Sequence, residues 1–201
     1  MQQILLATRN RHKVPELEGL LADLGVKVLS LEDFPGVPET PEDQPTLEGN
    51  ALAKARAAFR HLRIPSLADD TGLEVHYLND APGVYSSRYA GEGATYSDNC
   101  RKLLGEMRGV PPRRRGARFR CVVAFVSAEM EKTAQGVLGG VILEAPRGMH
   151  GFGYDPIFLP SGSSRTLAEM TLHEKNALSH RARAMEQMAA YLRMEVLKRG
   201  H

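Results

Sequence analysis

The chain has 201 residues, 42% of them hydrophobic and 25% charged, with a formal net charge of +2. That composition is ordinary for a soluble globular protein, and the length suffices for a sizeable core in one domain or two closely packed lobes. So small a net charge excludes a strong global field that would recruit nucleic acid or an anionic membrane; a polyanionic ligand must be held by a local group of bases.

The opening residues, MQQILLATRN, carry no basic leader, and no stretch is long and apolar enough for a membrane span. A cytoplasmic protein is the expectation. Residues 4–7 form a short apolar run followed by polar residues, a buried strand ending in a loop. Leu17, Leu20, Leu21 and Leu24 make a helical stripe over residues 16–24, and residues 26–29 are a second strand. Residues 31–46, rich in proline and acid, read as a loop. Residues 47–62, with Leu47, Ala51, Ala55, Ala58, Phe59 and Leu62 along one side, predict a helix capped by Thr46. Residues 65–68 and 73–77 read as two short strands around an acidic turn, 79–93 as a loop and 96–107 as a helix. Cys100 and Cys121 have neither CxxC nor zinc-ligand spacing and read as reduced, buried thiols.

Residues 118–127 and 133–143 are β-rich runs separated by a short polar turn, which predicts a long antiparallel hairpin and hence a mixed sheet. A loop over 145–165 carries GMHGFGYDPIF, and residues 176–197 read as one long final helix. Strands and helices alternating before a hairpin indicate an α/β fold.

Five groups of residues are able to carry chemistry. Thr8 to Lys13, TRNRHK, closes the first strand, where open α/β sheets bind ligands, and offers a hydroxyl, an amide and cations suited to phosphate oxygens. By itself a solvated basic turn with Asn10 as a cap is the better account. Asn50 and Lys54 lie one helical turn apart, with Glu42 upstream; a lysine and an amide at adjacent turns can hold a phosphate chain, but alone two solvated polar residues are the better account. In LADDTGL, Asp69 and Asp70 follow an apolar strand. Adjacent strand residues point to opposite sides, so one carboxylate faces a ligand and the other braces the turn. Hard carboxylate oxygens suit Mg²⁺, which weighs function slightly above an Asx-type turn. In GFGYDPIF, glycines beside Phe152 and Tyr154 let an aromatic face approach a flat base; core aromatics in a turn are an equal alternative. Lys175 and SHR, residues 179–181, lie about one turn apart if helical and offer donors to a base carbonyl; solvation of a helix start is the plain alternative. No GxxxxGK[ST] loop, HExxH or HxH is present.

Together these motifs resemble one family, the non-standard purine NTP pyrophosphatases that act on inosine and xanthosine triphosphates. TRNRHK is similar to its opening T-x-N-x-x-K, EDQPTLEGNALAKA to its E-x(3)-T-F-x-x-N-A-x-x-K-A, LADDTGLEVHYLNDAPGVYSSRYAG to its ADDSGL…PGVYSARYAG, and FGYDPIF followed by SHR completes the order. The likeness runs from about residue 4 to 195. Thr71, Leu47, Ser87 and Arg9 depart from the usual Ser, Phe, Ala and Gly.

The resemblance implies an elongated mixed sheet flanked by helices, one domain over residues 1–201 with two lobes and an active-site cleft between them, and a homodimer. It implies that Thr8, Asn10, Lys13 and Lys54 hold the triphosphate, beside Asn50 as a substrate contact read from the residues, and that Glu42 and Asp70 bind one or more Mg²⁺. Asp70 would also accept a proton, Asp69 would support it, and Thr71 would contact substrate. Phe152, Gly153, Tyr154 and Asp155, with Lys175, His180 and Arg181, would form the nucleoside pocket. The expected reaction is Mg²⁺-dependent hydrolysis of deaminated purine triphosphates to monophosphate and pyrophosphate, with no nucleic-acid or membrane partner. Two other readings compete: a pyrophosphatase for a modified pyrimidine nucleotide, and a non-catalytic nucleotide sensor or nucleic-acid-binding module. The donors Lys175, His180 and Arg181 oppose the first, and the carboxylates Glu42 and Asp70 oppose the second.

Overall fold

The computed structural model describes residues 3–21 and 25–198. The strands are β1 (Gln3–Leu6), β2 (Lys27–Ser30), β3 (Ser66–Val75), β4 (Ala81–Pro82), β5 (Gly116–Val126), β6 (Glu131–Ile142) and β7 (Phe158–Pro160). The helices are α1 (Val14–Leu21), α2 (Leu47–Leu62), α3 (Tyr96–Glu106), α4 (Leu172–Asn176) and α5 (His180–Lys198). The sheet runs β2-β1-β3-β5-β6-β7, with β4 paired to β3. β1 is parallel to β2 and to β3, whereas β3–β4 and β6–β7 are antiparallel. The expected mixed α/β sheet is thus present. Among the described residues no helix is long and apolar enough to cross a membrane.

The chain forms two compact units. Unit 1 comprises Met1–Asp70, Cys121–Gly136 and His180–His201; unit 2 comprises Thr71–Arg120 and Val137–Ser179. In unit 1, Ile4 and Leu6 of β1, Leu17 and Leu21 of α1, Leu67 of β3, and Cys121, Val123 and Phe125 of β5 pack with Ala184, Met185, Met188 and Leu192 of α5. The β5 residues follow the strand period of two, and those of α5 the helical spacing. Gly136 of β6 lets the first turn of α5 come close: a Cβ there would collide with the His180 carbonyl and the Ala184 amide. In unit 2, Leu73 and Val75 of β3 and Ala117 and Phe119 of β5 pack with Leu103 and Met107 of α3, Phe158 of β7 and Tyr154.

Helix α2 and the hairpin follow their sequence signals. Thr46 caps α2 by accepting the Gly49 N–H at 3.0 Å, and the Ser127 N–H donates to the Met130 carbonyl across the β5–β6 turn. Several expectations fail. The stretches 79–93 and 145–165, expected as loops, contain β4 and β7. The two strands expected at 65–68 and 73–77 around an acidic turn are one strand, β3 (Ser66–Val75), with Asp69 and Asp70 in its middle, and His76 and Tyr77 belong to a 3-10 turn after it. Aspartate disfavours strands where its charge is unmatched; here each carboxylate meets a cation. Within this strand Gly72 marks a close backbone approach: a Cβ there would lie 2.6 Å from the Gly83 carbonyl. The final helix is also divided. Thr171 starts α4 with a reciprocal capping box to Glu174, α4 ends at Asn176, and α5 begins anew after Ser179, a residue type favoured at helix starts. Lys175 and His180 therefore do not share a helix. Of the stripe expected over residues 16–24, positions 22–24 lie outside the described residues.

Candidate active site

Unit 1 assembles its polar residues around β3. The chain leaves β1 with the Ala7 N–H bonded to the Leu67 carbonyl at 2.7 Å. The next turn is ordered by its own side chains: Thr8 Oγ1 accepts the Asn10 N–H and Asn10 Oδ1 accepts the His12 N–H. This turn delivers Lys13 to the start of α1, where its Nζ lies 2.9 Å from Asp69 Oδ2. The same oxygen accepts from Arg181 Nε at 3.2 Å and from Cys121 Sγ at 3.8 Å. Arg181 Nη1 donates to Glu16 of α1. Asp69, Glu16 and Arg181 are all buried.

Because side chains alternate along a strand, Asp70 faces a different set of partners. Lys54 Nζ donates to Asp70 Oδ1 at 3.0 Å and to Glu42 Oε1 at 2.8 Å. Asn50, fully buried one turn before Lys54, donates from Nδ2 to Asp70 Oδ2 at 3.1 Å. Two carboxylates from distant segments thus converge on one ammonium.

The two neighbouring aspartates titrate in opposite directions. Burial alone would push the Asp69 carboxyl up, but Lys13 and Arg181 more than reverse this and hold it well below the usual carboxylate range. At Asp70 burial prevails over Lys54 and Lys13, and the carboxyl is raised above its ordinary value. Burial would lower the Lys54 ammonium, but Asp70 and Glu42 overcome it and hold the group protonated.

Unit 2 holds the aromatic loop. Asp155 Oδ2 accepts the Phe152 N–H at 2.9 Å and Lys175 Nζ at 2.6 Å. Gly151, at φ +73°, leaves room for that carboxylate, since any Cβ would strike Asp155 Oδ2. The Lys175 ammonium lies 4.6 Å from the centre of the Phe152 ring, within cation–π range. Tyr96 flanks the same ring at 5.8 Å between centroids. The Gly153 carbonyl accepts from Cys100 Sγ at 3.3 Å. Burial, with Asp155 adding, pushes that thiol up to about 11. Tyr154 is buried, its hydroxyl donating to the Ser86 carbonyl at 2.9 Å.

Unit 1 therefore brings Lys13, Asp69 and Arg181 together on one side of β3 and Glu42, Asn50, Lys54 and Asp70 on the other. Unit 2 brings Phe152, Asp155 and Lys175 together. Thr71 follows Asp70 on β3, half-buried, and His180 is buried in the first turn of α5. Glu16 was missed by sequence reasoning. An acid in the first turn of a helix ordinarily serves the helix dipole, so nothing in the local pattern points to a buried partner 165 residues away. Gln44 was also missed, because it acts through its backbone N–H, which reaches Asn50 Oδ1 at 3.0 Å.

A model of the Ham1 family matches residues 4–191. A protein of Geobacter sulfurreducens named dITP/XTP pyrophosphatase is 48% identical over 193 residues, covering 96% of this chain and 97% of that protein. The solved structure of a HAM1 protein from Coxiella burnetii aligns with a TM-score of 0.87 at 42% identity, covering 96% of this chain and all of that one. A crystal structure of a nucleoside-triphosphatase / dITP/XTP pyrophosphatase from Mycobacterium abscessus aligns with a TM-score of 0.75 at 42% identity, covering 93% and 97% of the two chains.

Proposed function

We propose that this chain, which belongs to the Ham1 family, hydrolyses deaminated purine nucleoside triphosphates to a nucleoside monophosphate and pyrophosphate. The observation that carries the reading is the convergence of Glu42 and Asp70 on Lys54. Two carboxylates against one ammonium leave this cluster with a formal charge of −1, which repels a triphosphate. A divalent cation reverses that sign, and hard carboxylate oxygens fit Mg²⁺, with Glu42 and Asp70 as the residues that would hold it. When bound, the ion would neutralise charge on phosphate oxygens.

The remaining work falls to the chain's own groups. Lys54, protonated beside its two carboxylates, and Lys13 at the end of the Thr8–Lys13 turn supply positive charge for the phosphates, with Thr8 and Asn10 as further contacts. Asp70, raised by burial, accepts the proton of a water that attacks the α-phosphorus. The new bond forms between water oxygen and α-phosphorus, the bond to the bridging oxygen breaks, and pyrophosphate departs with that oxygen. Asp69 is not a second base. Its low titration and its pairing with Lys13 support a role in holding that lysine, and Thr71 contacts substrate beside it.

For the base, Phe152 offers a stacking face and Lys175 a donor to a 6-oxo group. Adenine presents an amino donor at that position, which leaves a buried donor unpaired and is strongly penalised. Gly153, Tyr154 and Asp155 shape and brace this loop. His180 keeps a donor role in this reading. For Arg181 the two buried ion pairs, to Asp69 and Glu16, support bracing of Asp69 in place of base reading. The reading also carries a cytoplasmic homodimer, whose mass light scattering would measure. The decisive experiment incubates the protein and Mg²⁺ with inosine, xanthosine, adenosine and guanosine triphosphates under phosphorus NMR. The expected outcome is monophosphate and pyrophosphate from the first two. Stepwise orthophosphate release, or equal turnover of ATP, overturns the reading.

A further inference from the structure

Asn50 was expected among the phosphate-binding residues, and its surroundings suit a different task. It is fully buried on α2, and both ends of its carboxamide are engaged. Oδ1 accepts the Gln44 backbone N–H at 3.0 Å, and Nδ2 donates to Asp70 Oδ2 at 3.1 Å. The orientation of the amide is thereby determined: a backbone N–H can only donate, so Oδ1 must face Gln44 and the NH₂ must face Asp70. Gln44 lies two residues after Glu42 on the segment leading to the Thr46 cap. One side chain thus connects the segment that carries Glu42 to the carboxylate that Glu42 must meet.

We infer that Asn50 is a positioning residue for the metal-binding pair, fixing Asp70 through its NH₂ and the Glu42 segment through its carbonyl. Asp70 has two oxygens with separate partners: Oδ1 takes Lys54 and Oδ2 takes Asn50. A carboxylate fixed through both oxygens loses the freedom to rotate away from an incoming cation. Residues that hold ligand carboxylates in this way commonly contribute 10–100-fold to metal affinity without touching the ion. The inference rests on the proposal that Glu42 and Asp70 bind the metal, and its test separates the two ideas.

The test titrates nucleotide-free protein with Mn²⁺ as a paramagnetic probe, following free ion by EPR, in wild type, Asn50→Leu, Glu42→Gln and the double variant, with thermal melts alongside. Asn50→Leu conserves volume and removes both hydrogen bonds, so Mn²⁺ affinity should fall about 10–100-fold. If Asn50 works by presenting Glu42, its loss should matter less once Glu42 is already gone, and the double variant should fall short of the summed effects. Asn50→Asp keeps the acceptor for Gln44 but replaces the donor with a charge facing Asp70. With the hold on Asp70 broken, Mn²⁺ affinity should fall here too, though less than in Asn50→Leu, because the Gln44 contact survives. A merely structural asparagine would lower stability in both variants and leave Mn²⁺ affinity unchanged. Wild type that binds no Mn²⁺ overturns the metal reading and this inference together. Wild type that binds, with Asn50→Leu equally tight or with strictly additive effects, overturns this inference alone.

Discussion

Asp69 and Asp70 are chemically identical neighbours on one strand, yet they differ in almost every property that an environment controls. Asp69 lies among Lys13, Arg181 and Cys121, with more cationic than anionic partners, and its carboxyl is held low. Asp70 shares its lysine with a second carboxylate, Glu42, and burial raises it. The strand period alone separates them, by directing successive side chains to opposite faces. A carboxylate saturated with cations is a structural anion. One that must share a cation is basic and ready to take another.

The sharpest way to break this comparison is to neutralise each carboxylate in turn. Asp70→Asn keeps shape and the contact with Lys54 but removes basicity, so kcat on inosine triphosphate should fall by about 10²–10⁴ with the melting temperature little changed. Near wild-type turnover would remove Asp70 from the mechanism. The next largest effect is expected at Arg181→Ala, which removes the buried guanidinium that Asp69 and Glu16 share and should cost about 3–5 kcal/mol in urea unfolding. Should stability hold while the preference for inosine triphosphate over ATP collapses, Arg181 reads the base and the bracing role is wrong.

Lys175→Met tests the base loop of unit 2. It keeps most of the side-chain volume and removes one charge-assisted donor, so kcat/KM on inosine triphosphate should drop about 10- to 100-fold while that on ATP barely moves. A parallel loss on both substrates would make Lys175 a brace for Asp155 and nothing more. The smallest effect is the acid limb of stability. The folded-state carboxyl of Asp69 lies below its unfolded value of about 3.9. Ionised Asp69 therefore contributes stability that is fully present above that pH and is lost as pH falls through the folded value. The stability gap between wild type and Asp69→Asn should narrow only below about pH 4; urea midpoints at a series of pH values would measure it, and a gap independent of pH would refute the assignment.

Much of this was legible in the sequence. Helix α2 and its Thr46 cap follow from a regular alanine stripe and a hydroxyl at its start, and the β5–β6 hairpin from β-rich runs around a polar turn. The opposite orientations of Asp69 and Asp70 were also foreseen, although they were placed in a turn. That error has a clear cause: two adjacent acids resemble a turn unless the cations that match them are known, and Lys13, Lys54 and Arg181 come from three other elements. The break between α4 and α5 was hidden because Ala177 and Leu178 continue a helical composition across it. Glu16 and the Gln44 N–H were beyond local pattern altogether, since one acts at long range and the other has no side-chain signature.

The Arg181 pairs have a consequence for how the protein is made. Arg181 lies 165 residues after Glu16 and 112 after Asp69. During synthesis the early segments of unit 1 leave the ribosome long before their guanidinium partner exists. Until α5 arrives, Glu16 and Asp69 have no arginine to enter a core with, and Met185, Met188 and Leu192 are not there to close it. Contacts of such sequence separation form late and slowly. The nascent chain thus carries its charge-bearing half open to water and to chaperones until translation is nearly complete, and a message truncated before codon 181 yields a polypeptide in which Asp69 and Glu16 lack the guanidinium they share.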